Sequence, residues 1–463
     1  LFERLNRRTF LGTAAAAAAT PGASAFSIAR AAETASTAAL PALVGNRFLT
    51  FNTVIRVNQI EAGRDQNVGA DEFADHTPQN VQAMRDAFGR GWPGGRMTWA
   101  FSWRALQDQR DNYKAIRDLV RSFHQRYGDE ITFFVGGYFA NMYNTRAQVN
   151  RDLHDALAMV SAMIGGGYRP RSVLAGYLAA ANQQYLAEKE GIHVCQGNIW
   201  SQYAVDNGDG DGSICYPYYP SREHFCKPAQ AEGDFIDCVN LDGWTCDFVS
   251  ARRTGMTDHY NSRMGVGPIE TVYRLGSEVG LREMLATTAA HFDQGFALNR
   301  FAWVTNCWEV CLLKQFGGPT DLTRWLSEVR RRWPQALCVT QGEFGMAWRE
   351  HFKNNGPLDY RFLQRGSGIH GSDANLEIRW FMNKDFRLAL LRDWKARGEA
   401  LVIDFTRYDL PAAEPKGKGR NWSLMNRINQ KQTRAQDQPI RLAQLTVAEQ
   451  AMIGRHYPEL FGK

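Results

Sequence analysis

From Arg47 onward, short apolar runs alternate with amphipathic stretches. Phe48 to Val57, Met97 to Trp103, Ile131 to Phe139, Ser172 to Tyr177, Ile192 to Trp200, Phe235 to Leu241, Phe301 to Thr305 and Leu337 to Thr340 read as strands. Between them, Pro78 to Gly89, Asn112 to Tyr127, Arg146 to Ile164, Gln183 to Glu190, Glu278 to Gln294 and Asp321 to Trp333 read as helices. In the Arg146 segment, Val149, Leu153, Leu157, Val160 and Ile164 form one stripe at helical spacing. Strands alternating with helices imply parallel pairing, and seven or eight such units predict an α/β fold, a (β/α)7-8 barrel. A doubly wound open sheet is the alternative, and the Gly-rich phosphate loop of its nucleotide-binding form is absent.

The pattern divides the chain into a signal and linker (1–42), a barrel catalytic domain (43–356) and a small appended C-terminal module (357–463). A long loop insertion runs from Ser201 to Pro268. The appended module shows one helix-like run, Phe386 to Arg397, one strand, Ala400 to Phe405, and a basic stretch, Pro411 to Arg420.

The start of the chain changes the picture. Asn6-Arg7-Arg8-Thr9-Phe10-Leu11-Gly12 precedes an alanine run, Ala14 to Ala19, and then Ala23-Ser24-Ala25. A basic head, a short apolar stretch and a small-residue cleavage site make an export signal, and the paired arginines resemble the twin-arginine type. An ordinary signal is the competing reading. The expectation is a periplasmic or extracellular protein without a membrane span, since a span needs about 20 strongly apolar residues.

Thirteen Trp, sixteen Tyr and twenty-six Phe supply both core packing and rings for sugar stacking. The net charge of +6 is not gathered into a basic stripe, so nucleic acid is not an expected partner. Of eight cysteines, five lie between residues 195 and 246. Disulfides and buried free thiols both fit them.

In a barrel, the working residues stand at the carboxyl ends of the strands. Four acids occupy such positions: Glu61, Asp242, Glu309 and Glu343. Glycoside hydrolysis needs a protonated acid and a second carboxylate, and an apolar wall separates their pKa values. Trp308 beside Glu309 and Phe344 beside Glu343 could supply that wall. Trp103, Tyr138, Asn141, Trp200, Trp244 and Trp308 are the candidate sugar contacts. Salt-bridged or helix-capping roles compete for each acid.

The run Asp206-Asn207-Gly208-Asp209-Gly210-Asp211-Gly212 suggests a Ca2+ loop through Asp206, Asp209 and Asp211, although Tyr218 stands where an EF-hand places its closing Glu. A polar turn without metal is the alternative, and no cofactor is required. No H-E-x-x-H or C-x-x-C points to zinc, and no G-x-S-x-G points to a serine nucleophile.

Gly167-Tyr168-Arg169-Pro170, Leu186-Ala187-Glu188 and Gly191-Ile192-His193-Val194 resemble the later motif region of polysaccharide deacetylases and related glycoside hydrolase barrels. Leu49-Thr50-Phe51-Asn52 is similar to their opening strand. Asn52, however, stands where the deacetylases place the first of two acids, and their H-x-x-x-H metal pair is absent. The segments CQGNIWSQYAVDNGDGDGSICYPYYPSREHF, DFIDCVNLDGWTCDF and RWFMNKDFRLALL resemble an exported bacterial family of unassigned function across most of the mature chain. The expectation is a glycoside hydrolase type of enzyme acting on a glycan or oligosaccharide. A metal-dependent polysaccharide deacetylase or lyase and a non-catalytic glycan-binding protein are the alternatives.

Overall fold

The computed structural model describes residues 39–462 except 65, 199–211, 258–263, 268, 316, 397, 420–421 and 425–437. The chain runs β1 (Arg47–Ile55), α1 (Pro78–Gly91), β2 (Thr98–Phe101), α2 (Trp103–Gln107), α3 (Asp111–Tyr127), β3 (Glu130–Phe133), α4 (Ala140–Tyr143), α5 (Arg146–Ile164), β4 (Val173–Leu174), α6 (Ala180–Tyr185) and β5 (Val194–Gln196). It continues through β6 (Val239–Asn240), α7 (Phe248–Thr257), α8 (Ser277–Ala289), α9 (Phe296–Asn299), β7 (Ala302–Cys307), α10 (Gly318–Arg332), β8 (Leu337–Val339) and α11 (Gln341–His351). Each apolar run read as a strand overlaps one.

Local chemistry sets the helix limits. Thr77 accepts the Asn80 N–H ahead of Pro78 at the start of α1. Thr145 and Gln148 form a reciprocal capping box on α5, whose Val149, Leu153, Leu157 and Val160 are buried.

The strands pair in parallel in the order β3-β2-β1-β7, with β8 also on β1. β8 pairs with Phe48 to Thr50, and β2 pairs with Asn52 to Ile55. A second parallel sheet has the order β4-β5-β6. One bridge, Phe134 to Leu174, joins β4 to the end of β3. Beyond β6, the Thr245 N–H reaches the Thr305 carbonyl of β7 at 3.3 Å. The α/β class and parallel pairing therefore stand, while among the described residues the ladders form no continuous ring.

Alternate β1 residues face opposite layers. Phe51 meets Phe88 of α1, and Phe48 meets Phe344 of α11, each at 5.3 Å between ring centres. The first turn of α11 lies against that second face. Gln341 Oε1 accepts from Asn52 Nδ2 at 2.7 Å, and the Gly342 N–H reaches Glu130 at 2.9 Å.

After α11 the chain turns to an antiparallel sheet of β9 (Asp359–Arg365), β10 (Leu376–Asn383), β11 (Phe386–Asp393), β12 (Leu401–Arg407) and β13 (Ile440–Arg441), in the order β13-β12-β11-β10-β9. α12 (Val447–His456) follows. One face of the sheet joins the main core through Phe362, Ile378, Trp380 and Ala389. The other packs Phe386, Leu388 and Phe405 against Met452 and Ile453 of α12. This corrects the helix expected over Phe386 to Arg397. A strand covered on both faces loses its polar alternation, so its sequence mimics a buried helix.

The insertion is also less irregular than expected, since α7 lies within it. Among the described residues no helix is long and apolar enough to cross a membrane. Residues 1–38, which include the expected export signal, lie outside the described residues.

Candidate functional site

A buried cluster of charged groups forms at the carboxyl ends of β1 and β7. Arg56 follows β1 directly. Its Nε and Nη2 donate to Glu72 at 2.6 and 3.0 Å, and its Nη1 and Nη2 donate to Glu309 at 3.2 and 2.7 Å. Nη2 also lies 3.4 Å from Cys311 Sγ. The guanidinium thus joins two carboxylates that are far apart in the chain, with all three side chains buried. Burial disfavours the Arg56 charge, yet Glu309 and Glu72 lift its pKa well above the ordinary value. Burial also pushes the Glu72 carboxyl up, and Arg56 more than reverses this, leaving it below the usual value.

His76 completes the cluster from the backbone side. The Arg56 N–H donates to its Nε2 at 3.4 Å, and its Nδ1 lies 3.2 Å from the Glu72 carbonyl. With Nε2 accepting, the proton sits on Nδ1. Burial pushes this histidine down to about 4, so it is neutral at ordinary pH.

Ligand atoms of Glu72, His76 and Cys311 lie within 4.8 Å of one another, a spacing suited to a metal. Here the donors are already occupied. Both Glu72 oxygens hold Arg56, both His76 nitrogens face backbone groups, and Cys311 touches the guanidinium. A second cation would stand against the first, so this set does not fit a metal.

The segment after β3 adds two neutral donors. Tyr138 Oη lies 2.9 Å from Cys307 Sγ, at the end of β7. Burial, followed by Cys307 and Glu309, raises the phenol well above its usual value, and burial pushes the Cys307 thiol to about 12. Trp244 packs on Tyr138 at 5.7 Å. The backbone here is left-handed over consecutive residues, with φ of 60° at Gly136, 59° at Gly137 and 72° at Tyr138. A Cβ on Gly137 would sit 2.9 Å from the Glu61 backbone nitrogen, so only glycine allows this approach. Left-handed tyrosine is strained, and such strain gathers at functional sites.

The predicted site residues separate into distinct groups. Glu309, Tyr138 and Trp244 come together, and Asp242 stands two residues from Trp244, at the end of β6, accepting the Gly243 N–H at 2.7 Å. Glu61 is a clamp. Its Oε1 accepts the N–H groups of Val57 and Asn58 at 2.5 and 3.0 Å, and its Oε2 accepts that of Arg104 at 3.0 Å.

Glu343 does not converge with Glu309. It caps α11 with Thr340 and pairs with Arg96 at 2.9 Å, at the start of β2 rather than at its carboxyl end. The cause is the early stop of β8 at Val339, level with Thr50 in the middle of β1.

The aromatic and amide candidates also divide. Trp308 is fully buried and presents no ring face. Arg64 lies over Trp103 at 3.9 Å. The Asn141 amide bridges the Ala179 N–H and Asn182, tying helices together. Trp200, Asp206, Asp209 and Asp211 lie outside the described residues. All eight cysteines are buried, and none is disulfide-bonded.

Sequence reasoning missed Arg56, Glu72 and His76. Glu72 and His76 stand four residues apart, a spacing that often marks a shared site, but their loop carries no strand or helix pattern.

A family model described as a domain of unknown function, DUF3863, matches residues 41–382, and a second, DUF3864, matches residues 387–460. The solved structure of a candidate glycoside hydrolase/deacetylase from Parabacteroides distasonis matches with 50% identity and a TM-score of 0.86, over 90% of this chain and 99% of its own. A candidate polysaccharide deacetylase from Mycobacterium smegmatis matches with 15% identity and a TM-score of 0.39, over 67% of this chain and 94% of its own. A GH57-type branching enzyme from Pyrococcus horikoshii matches with 11% identity and a TM-score of 0.39, over 64% and 69%. No curated protein matches the chain. The resemblance read from the sequence, to a family without an assigned activity and to glycoside hydrolases and deacetylases, is borne out.

Proposed function

The chain belongs to the DUF3863 family, and from that premise we propose that it is a carbohydrate-active hydrolase of the glycoside hydrolase type, working around Glu309. The observation that carries the reading is the buried Glu309 carboxylate, fixed by Arg56 beside the neutral Tyr138 and Cys307 donors on strained backbone. The half-identical Parabacteroides relative, a candidate glycoside hydrolase/deacetylase, supports the substrate class.

Glu309 accepts two hydrogen bonds from the Arg56 guanidinium, an arrangement that suits the nucleophile or the stabiliser of an oxocarbenium-like transition state rather than the acid. Asp242, near Trp244, takes the acid role in this scheme. Tyr138 donates a hydrogen bond to the reacting sugar, and Arg56 positions Glu309 without touching substrate.

Glu309→Gln and Asp242→Asn should each lower the release of reducing sugar by about 10²–10⁴-fold while the fold is kept. A panel of neutral and acidic polysaccharides provides the assay. Full turnover in both variants removes the reading. Saturable binding without any product indicates a binding protein instead. Acetate release abolished by chelation indicates a metal-dependent deacetylase; the occupied donors around Arg56 argue for activity that survives chelation.

A further inference from the structure

The Glu61 clamp holds two loops together, those after β1 and after β2. It fixes the backbone of Asn58 and Arg104 and leaves their side-chain chemistry unmet. Asn58 is 8% exposed, and its Oδ1 is buried without a hydrogen-bond partner. Arg104 Nε is likewise buried with no acceptor.

Neighbouring arginines differ. Arg56 holds Glu72 and Glu309, Arg64 holds Asp152 and Asp155, and Arg110 holds Asp108. Among the described residues Arg104 has no carboxylate partner. A donor and an acceptor, both buried and unmatched on one rigid clamp, mark a place where a ligand supplies the missing groups. Both lie just beyond Arg56, at the carboxyl ends of adjacent strands.

We infer that Arg104 and Asn58 form an acidic-sugar subsite, in which the guanidinium binds a carboxylate or sulfate ester and Asn58 Oδ1 accepts a neighbouring sugar hydroxyl. This rests on the reading of the site as carbohydrate-active and names its substrate class. A planar guanidinium matches an oxyanion with two parallel hydrogen bonds, which a neutral sugar cannot return. The subsite would place an anionic ring beside the Glu309 centre.

The test compares polysaccharides rich in uronic acid with the same polymers after carboxyl reduction, and sulfated polysaccharides with their desulfated forms. Retention in affinity electrophoresis and sugar release are both read on the full chain. One acidic member should be retained at least tenfold better than its neutralised partner, and the arm that shows the gap identifies carboxylate or sulfate. Arg104→Gln should close that gap, and Arg104→Lys should restore part of it, with melting temperature reporting the fold.

Equal handling of every acidic and neutralised pair by the wild-type chain overturns the inference, yet leaves the hydrolase reading standing if sugar is released. A gap that persists in folded Arg104→Gln also overturns it. Neither retention nor release from any polymer overturns both readings. If Arg104→Gln does not fold, the wild-type comparison still decides.

Discussion

Two buried arginines, one in each part of the chain, carry similar charge and serve different ends. Arg387 in β11 pairs with Asp404 in β12 at 2.6 Å, both fully buried, and also donates to the Ser213 carbonyl. Its partner lies on the adjacent strand of the same sheet, so the pair is part of that sheet. Arg56 instead gathers Glu72, Glu309 and Cys311 from separate segments, beside a left-handed tyrosine. Burial and a salt bridge do not alone identify a site. What sets the Arg56 cluster apart is the strained backbone beside it.

The contrast is sharpest in its largest expected effect. Asp404→Ala leaves a buried arginine unpaired and should destabilise the fold by about 3–5 kcal/mol in urea unfolding. It should not alter turnover by the folded fraction. A loss of turnover in that fraction would erase the distinction between the two arginines.

The seam between the two parts comes next. Asp247 and Glu283 are both buried there and share a hydrogen bond, with Gln364 of β9 and Ser372 of the β9–β10 connection on Asp247 and Ser367 of that connection on Glu283. Burial and Asp247 push the Glu283 carboxyl up to about 8. Between pH 4.5 and 8 the folded state therefore holds a proton that the unfolded chain releases, and stability falls as pH rises through this window. Glu283→Gln should flatten that slope in thermal melts taken across the window.

On the acid side, burial holds His291 at about 3, among Tyr216, Phe248 and Phe362. A depressed histidine stays neutral in the fold while the unfolded chain protonates, so stability is lost as pH falls from 6.5 toward 3. At pH 5 its share is about 2 kcal/mol. His291→Phe should remove this share and leave the loss due to His76, which ends near pH 4.

Gly137→Ala should cost more than about 1 kcal/mol of stability, because it forces a Cβ toward the Glu61 backbone at a left-handed position. Its effect on turnover should be disproportionate, since Tyr138 would shift. Proportional losses in both would place the glycines on the structural side of the comparison.

The strand and helix order was legible because short apolar strands alternate with amphipathic helices such as α5. The C-terminal sheet was obscure where that alternation lapses. Phe386 to Leu390 are buried on both sides, so no period distinguishes strand from helix. Glu309, Tyr138 and Trp244 were singled out by their place at strand ends, and the structure brings them near one another. Glu343 satisfied the same rule and failed it in space, although Thr340 three residues earlier spells a helix cap. Arg56 went unseen because its partner Glu309 lies 253 residues away, a distance no local pattern spans.

The turn at Lys384 and Asp385 has a further consequence. It falls in the gap between the two family matches, which end at 382 and resume at 387. Yet β10 and β11 on either side are hydrogen-bonded along their length, from Leu376–Asp393 to Met382–Arg387. The boundary between the two family matches therefore runs through the middle of a single sheet. Severing the chain there would strand two raw edges prone to self-association, so the halves should be stable only when produced together.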